Sequence, residues 1–287
     1  MIALSSTSEV VAAMQHAHSI TLTAYVMRSG QVLNALESAA KRGARVQLKL
    51  EATPYGDPSG DLRQGNIDAA ERLRGAGASV RLVDQDGQAP LHMKAAVIDR
   101  AVAYLDDRNW PGDGLDTIVR DTDARDVNAV LGAISDRGGQ PAPLATRKDA
   151  ALLREARTIY QSADAHERIS VESESFGYGR IYAALLTVAR GRTPVRLLVA
   201  QRDVTPKSQP ALLRLQKAGV DVRVGATDEK MAVAQTQAWL GSANATAGVP
   251  SQIDWGLRIF ERSNIAGLQS RFERNWAAAK PFAVTEI

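Results

Sequence analysis

The chain has no cysteine among its 287 residues. Disulfides, thiolate nucleophiles and cysteine-ligated zinc or iron–sulfur centres are therefore excluded, while the redox compartment stays open. Long apolar runs are missing too, since nothing approaches the ~18–20 residues that a membrane span needs. The opening residues, MIALSSTSEV, carry neither the basic segment nor the apolar stretch of an export signal. The chain is accordingly expected to be cytoplasmic, or exported with its signal peptide absent from this sequence. Neither sign of charge dominates: 35 Lys and Arg stand against 32 Asp and Glu, for a formal charge of +3. That balance is compatible with anionic substrates, but the basic residues are spread along the chain and announce no nucleic-acid groove. Histidine is scarce, with four in all, and glycine-rich nucleotide fingerprints of the GxGxxG type are absent.

What is present is a globular composition, 45% hydrophobic and 23% charged, sufficient for a sizeable core. The chain also repeats itself. SITLTAYVMRS (19–29) alternates like a strand, and QVLNALESAAKRGA follows with Val32, Leu33, Leu36, Ala39 and Ala40 at helical spacing and Gly43 as a stop. RVQLKLEA (45–52) reads as a strand, IDAAERLRGAGA as a helix and SVRLV (79–83) as a strand. The second half runs in the same order: ERISVES (167–173), GRIYAALLTVARGR, VRLLVAQ (195–201), QPALLRLQKAGV and DVRVG (221–225). ERLRGAGASVRLV and LRLQKAGVDVRVG match at six of thirteen positions, in the same order and spacing. Alternating strands and helices predict an α/β fold with mostly parallel sheets and covering helices, in two repeats: 1–140 and 141–287. The seam is expected at DRGGQPAP (136–143), with an amphipathic helix, KDAALLREARTIYQSA (148–163), opening the second repeat.

Each repeat ends in a polar cluster. In HMKAAVID (92–99), strand alternation puts His92 and Lys94 on one face, about 6–7 Å apart along the chain. A fixed ammonium beside an imidazole suits a phosphate: lysine neutralises an oxygen while histidine attacks phosphorus. An ordinary surface strand with two polar residues is the competing explanation for so short a pattern. Downstream, AYLDDRNW places Asn109 seventeen residues after His92, and AWLGSANAT places Asn244 sixteen after Asp228. Asparagine and serine at a strand exit, here Asn109, Ser242 and Asn244, can donate hydrogen bonds to phosphate oxygens. GLDTIVRD and QIDWGLRIF then each set an aspartate, Asp116 and Asp254, ahead of a β-rich run, where a carboxylate can fix a histidine tautomer.

HxKxxxxD followed by GSxN, present twice, is the signature of the phospholipase D superfamily, and the chain resembles that family over nearly its whole length. His92, Lys94 and Asp99 spell the first element, and GSAN (241–244) spells the second. The resemblance implies two pseudo-symmetric α/β sandwich halves packed as an internal pseudo-dimer, with one active site between them and no metal. It implies a phosphohistidine on one motif histidine and leaving-group protonation by the other. Lysines and asparagines hold the phosphate, and an acidic residue orients the histidine; on this pattern Asp116 orients His92. Asp99 is implied to support the fold.

The second motif departs from the pattern. Asp228 stands in place of the second histidine and Gln235 in place of the aspartate, so only Lys230 remains; Asp106 and Asp107 precede Arg108 and Asn109 where the family has glycine and serine. A positioned acid is typically worth about 10²–10⁴-fold in rate. Asp228 can supply a proton only if burial outweighs the pull of Lys94 and Lys230 on its charge. An ionised Asp228 instead opposes an anionic substrate.

The expected function is phosphodiester hydrolysis through a phosphohistidine on His92, weakened or specialised. Its catalytic residues are His92, Lys94, Asp116 and Asp228; Asn109, Lys230, Ser242, Asn244 and Asp254 bind substrate; there is no cofactor and no metal. The alternative is an inactive member that binds an anionic ligand or a protein. A third reading makes His92, Asp228 and Asp106 or Asp107 a zinc or manganese site. The expected ligand is a phosphodiester or other anion between the repeats, with nucleic acid and lipid both open, and the expected assembly is a monomer. His16, His18 and His166 read as helix-end or loop residues. Glu172 and Glu174 read as paired or cleft-lining, and the four tryptophans as core or cleft wall.

Overall fold

A computed structural model of the chain describes residues 1–84, 90–110, 117–135 and 142–283. The chain divides into two compact units. One comprises Met1–Lys148 with Ser251–Trp255, the other Asp149–Pro250 with Gly256–Ile287.

In the first unit the elements are β1 (Ile2–Ser5), α1 (Thr7–His16), β2 (Ser19–Ala24), α2 (Gln31–Lys41), β3 (Arg45–Glu51), α3 (Asp61–Gly75), β4 (Ser79–Val83), β5 (Lys94–Ile98), β6 (Val102–Asp106), β7 (Ile118–Asp121) and α4 (Ala124–Ile134). Their seven strands form one sheet in the order β1-β7-β6-β5-β2-β3-β4. The helices form where the apolar spacing is helical. Val32, Leu33, Leu36, Ala39 and Ala40 of α2 are all buried, in one cluster with Ile20 and Leu22 of β2 and Val46, Leu48 and Leu50 of β3. Gly43 stops α2 as the spacing predicts: it takes φ +90°, and the Ala44 N–H turns back to the Ala39 carbonyl at 3.1 Å.

The second unit contains α5 (Lys148–Asp164), whose first residue belongs to the first unit, then β8 (Ile169–Ser173), α6 (Arg180–Arg190), β9 (Val195–Ala200), α7 (Gln209–Lys217), β10 (Asp221–Gly225), β11 (Lys230–Val233), β12 (Ala238–Gly241), β13 (Gly256–Ile259), α8 (Arg262–Ala278) and β14 (Lys280–Pro281). Its sheet runs β13-β12-β11-β8-β9-β10-β14. Six strands thus keep the order of the first sheet, and the seventh is added at the opposite edge. Arg192, after α6, occupies the place of Gly43 and takes the same left-handed conformation, at φ +66°. The Thr193 N–H closes the turn on Val188 O at 3.1 Å.

The sheets are mixed rather than mostly parallel. Helical crossovers make β2, β3 and β4 parallel, and likewise β8, β9 and β10. The strands between Lys94 and Asp121 and between Lys230 and Ile259 pair antiparallel. The turn from β5 to β6 and that from β11 to β12 are too short for a parallel crossover. Part of the expected seam, residues 136–141, lies outside the described residues.

The last residue of HxKxxxxD has a structural task. Asp99 and Arg100 take φ +50° and +56° in the turn from β5 to β6. Asp99 Oδ1 accepts the His18 and Ser19 N–H groups at 2.9 and 2.7 Å, which fixes the start of β2. In the second unit the polarity is exchanged. Glu167, just ahead of β8, accepts the Gln235 and Thr236 N–H groups at 2.8 and 3.1 Å. The carboxylate that Gln235 lacks is therefore supplied from the neighbouring strand.

Candidate functional site

His92 lies just ahead of β5, in extended chain held from both sides. Its N–H donates to Ile253 O at 2.9 Å, and the Ile253 N–H donates to Pro90 O at 2.8 Å. The preceding Leu91 N–H donates to Oε2 of Glu51, a buried carboxylate at the end of β3, at 3.2 Å. Residues 251–255 are thus part of the first unit, although they follow most of the second in sequence. They bring in Asp254. Its buried Oδ1 lies 2.8 Å from His92 Nδ1, across 162 residues of sequence. Trp255, beside it, donates its indole N–H to Asp106 O at 2.8 Å, and Asp106 sits opposite Lys94 in the ladder. The segment carrying Asp254 is therefore anchored on both sides of the carboxylate.

Lys94 opens β5 and is 1% exposed. Its Nζ lies 3.1 Å from His92 Nε2. An ammonium can only donate, so Nε2 is the acceptor and the ring proton belongs on Nδ1, facing Asp254. The outcome is a neutral imidazole with a lone pair on Nε2 held against a fixed cation. His92 keeps 13% of its side chain exposed, enough for an approaching group to reach it. Tyr25 packs edge-on to the imidazole at 5.1 Å between centroids, with Lys94 Nζ 5.6 Å from its ring centre. Asn66, buried on α3, donates to Tyr25 O and Glu51 O at 2.9 and 2.7 Å and so links both supports of the site. Asn109 Oδ1 accepts the Val26 N–H at 3.2 Å, an orientation in which its NH₂ remains the donor.

Lys148 is buried in the same unit, and its N–H donates to Gln252 O at 2.9 Å. Burial pushes its ammonium below the usual lysine range, and the Asp254 carboxylate pulls it back up. Asp116, expected to orient His92, lies outside the described residues. The carboxylate found on Nδ1 is that of Asp254, which the sequence pattern grouped with substrate binding. Asp106 and Asp107 turn into their own loop. Asp106 accepts the Arg108 and Trp110 N–H groups at 3.2 and 2.6 Å, and Asp107 accepts that of Thr117 at 3.1 Å. Among the described residues, no three His, Asp or Glu side chains form a group that could hold a metal. His16, His18 and His166 are exposed, at the end of α1, in the connector after it and in the turn after α5. All four tryptophans are buried.

The corresponding place in the second unit is arranged differently. Lys230, 2% exposed, opens β11 as Lys94 opens β5. Its ammonium donates to Asp228 O at 2.7 Å and pairs with Glu174 Oε2 at 2.9 Å. Arg202 forks between Glu174, at 2.8 Å, and Asp228. Burial works against the Arg202 charge, yet Asp228 and then Glu174 hold its pKa above the ordinary value. Asp203 lies beside them; burial, then the Glu174 charge, raises its carboxyl. Asn244 Oδ1 accepts the Ser175 N–H at 3.1 Å, as Asn109 does from Val26, and Ser242 is buried. Thr23 faces Ala95 in the first ladder and Glu172 faces Met231 in the second, which makes Glu174 the counterpart of Tyr25. Sequence reasoning missed Tyr25, Glu51, Asn66, Lys148 and Arg202 as parts of these sites. Two of them carried a signal, a lysine and a glutamate each at the edge of an apolar run.

Comparison with known proteins supplies the remaining observations. Residues 10–123 match the family model described as cardiolipin synthase, PLD-like domain. No curated protein matches the chain in sequence. Among solved structures, the polyphosphate kinase of Porphyromonas gingivalis is similar over 96% of this chain, at 14% identity and a TM-score of 0.71. The chain spans about half, 47%, of that kinase. The phosphatidylserine synthase of Haemophilus influenzae Rd KW20 is similar over 98% of this chain and 87% of its own, at 10% identity and a TM-score of 0.66. At such identities these two establish the fold alone, and the family match is confined to residues 10–123, which include the HxKxxxxD of 92–99. Residues 10–123 thus match a phospholipase D-like domain, within a chain that shares the fold of these two proteins.

Proposed function

We propose that the protein is a metal-independent phosphodiesterase that works through a phosphohistidine on His92. The observation that carries this reading is the polarised imidazole, with Asp254 on Nδ1 and Lys94 on Nε2. A phosphate oxygen drawn to the Lys94 ammonium comes within reach of the Nε2 lone pair. Nε2 attacks phosphorus, the bond to the leaving oxygen breaks, and the proton on Nδ1 stays with Asp254 as the ring becomes cationic. Water then attacks the phosphohistidine, the P–N bond breaks, and a phosphomonoester leaves with the imidazole restored. Asn109, in the same unit as His92 and Lys94, is assigned to a phosphate oxygen.

No second imidazole is offered for the leaving group. Asp228 holds that place in the motif and is engaged as an acceptor of Arg202. A missing acid costs about 10²–10⁴-fold for an alkoxide and little for an aryloxide. The preferred substrate is therefore a diester whose leaving group departs without a proton. The fold relatives, a polyphosphate kinase and a phosphatidylserine synthase, are both named for phosphate-bearing substrates or products, which agrees with this class. A second reading, an inactive member that binds an anion or a protein, is favoured by one observation: the cations of the second unit are already paired with its own carboxylates.

The test is turnover of bis(4-nitrophenyl) phosphate in EDTA beside His92→Ala, with an alkaline quench and mass spectrometry for phosphohistidine. Turnover that survives EDTA and vanishes with His92 is the expected result. Turnover abolished by EDTA would move the case to a metal enzyme. Absence of any turnover or adduct would leave the non-catalytic reading in its place.

A further inference from the structure

The family pattern offers each unit a lysine and an asparagine for phosphate. In the first unit Lys94 meets an imidazole and an aromatic face, from Tyr25. In the second, the position of Tyr25 holds Glu174, and its Oε2 lies 2.9 Å from Lys230 Nζ. That is the distance and charge of a phosphate oxygen on a lysine. The carboxylate is itself held. Its Oε1 accepts from Arg202 at 2.8 Å, and Arg202 also engages Asp228. The Ser175 N–H, next in the chain, binds Asn244 Oδ1, which keeps Glu174 beside the asparagine loop. Two cations and two carboxylates close on each other, and Lys230 is 2% exposed.

We infer that Glu174 is a built-in anion that fills the second unit's phosphate cradle in place of an exogenous tetrahedral oxyanion, with Arg202 as the clamp that keeps it there. The substitution of glutamate for the counterpart of Tyr25 and the loss of the second histidine to Asp228 are then one change. A cradle sealed by its own carboxylate has no use for a nucleophile or a proton donor. An oxyanion arriving at Lys230 must displace Glu174 and meets the charge of Asp228 as well, so the site stays closed to phosphate and sulfate. This inference does not depend on His92 being catalytic, since it concerns groups of the second unit alone.

The experiment uses the full chain and sodium tungstate as the probe, with anomalous scattering to locate the anion and calorimetry to measure its affinity. The wild type is expected to hold no tungstate on Lys230. Glu174→Gln, which keeps the shape and removes the charge, is expected to gain one anion there, at least about tenfold tighter than the wild type. Adding Lys230→Met is expected to abolish the gain. Glu174→Gln/Asp228→Asn removes both carboxylates and is the second variant; tungstate on Lys230 in either supports the inference. Tungstate on Lys230 in the wild type would overturn it. So would its absence from both variants with circular dichroism unchanged. Tungstate on Lys230 in Glu174→Gln, together with no turnover at His92, would uphold the sealed cradle while refuting the phosphodiesterase.

Discussion

Replacing Asp254 by asparagine tests the site at its most specific contact. The wild-type carboxylate can only accept, and so it keeps the His92 proton on Nδ1 and the lone pair on Nε2, facing Lys94. An asparagine amide can present its NH₂ instead. That arrangement puts the proton on Nε2, where it meets the Lys94 ammonium and removes the nucleophile. A wrong tautomer and a lost charge behind the ring act in the same direction. The expected loss in kcat is about 10²–10⁴-fold, the scale of one positioned proton-transfer partner. Because Asp254 is fully buried, and Lys148 is buried within reach of its field, the variant is also expected to lose about 1–3 kcal/mol of stability. These two effects separate in Asp254→Asn/Lys148→Met, which removes the buried ammonium as well: stability returns in part, and activity does not. Single-turnover kinetics with the nitrophenyl diester and urea midpoints from circular dichroism give both quantities. The reasoning fails if Asp254→Asn keeps its rate within about threefold, or if Lys148→Met restores the rate along with the stability.

Three other expectations concern the framework. Burial pushes the Glu172 carboxyl up to about 8, against about 4.3 for a free glutamate. Between those values the folded chain keeps a proton that the unfolded chain has released, so this contribution is full below about pH 4 and is lost as pH rises toward 8. Glu172→Gln is therefore expected to gain stability relative to wild type between pH 5 and pH 8, on the order of 2–4 kcal/mol. An equal difference at both pH values in urea titrations would count against it. At Gly256 a methyl group would meet Ala151 Cβ at 2.6 Å and Trp239 Nε1 at 2.9 Å, so Gly256→Ala should cost about 1–3 kcal/mol by overpacking, read as a lowered urea midpoint. Arg192 holds a left-handed conformation, which glycine adopts freely. Arg192→Gly is expected to stabilise by about 0.5–1 kcal/mol, and an unchanged or lower melting temperature would refute that.

Much of the fold was legible because it is local. Helical spacing gave α2, and alternation gave β4 and β10 to the residue, because side-chain burial on one element leaves a period in the sequence. Two repeats could be aligned because corresponding turns use corresponding residues. The mixed sheets were misjudged because the helix–strand alternation covers only three strands of each, and the strands that follow pair antiparallel. Of the site, His92 and Lys94 were readable from spacing, since they lie two residues apart. Asp254 was readable as a carboxylate able to fix a histidine tautomer, but not as the partner of His92, because that contact crosses 162 residues and no periodicity reports such a distance. Asp106 and Asp107 looked like misplaced charge in the motif. Their carboxylates instead satisfy N–H groups of their own loop, a local competition that composition cannot reveal. Glu174 was read as paired or cleft-lining; what a single sequence hides is that its partner is the motif lysine itself.

The path of the chain through residues 251–255 bears on how the protein is made. A ribosome finishes the strand bearing His92 some 160 codons before it reaches Asp254. The nascent first unit can lay down its ladder early, but its imidazole waits for a carboxylate that arrives only after most of the second unit has been translated. Any prematurely terminated product ending ahead of that codon would carry an intact HxKxxxxD motif and no means of setting its histidine. The setting of the histidine is thus acquired late and in a single step.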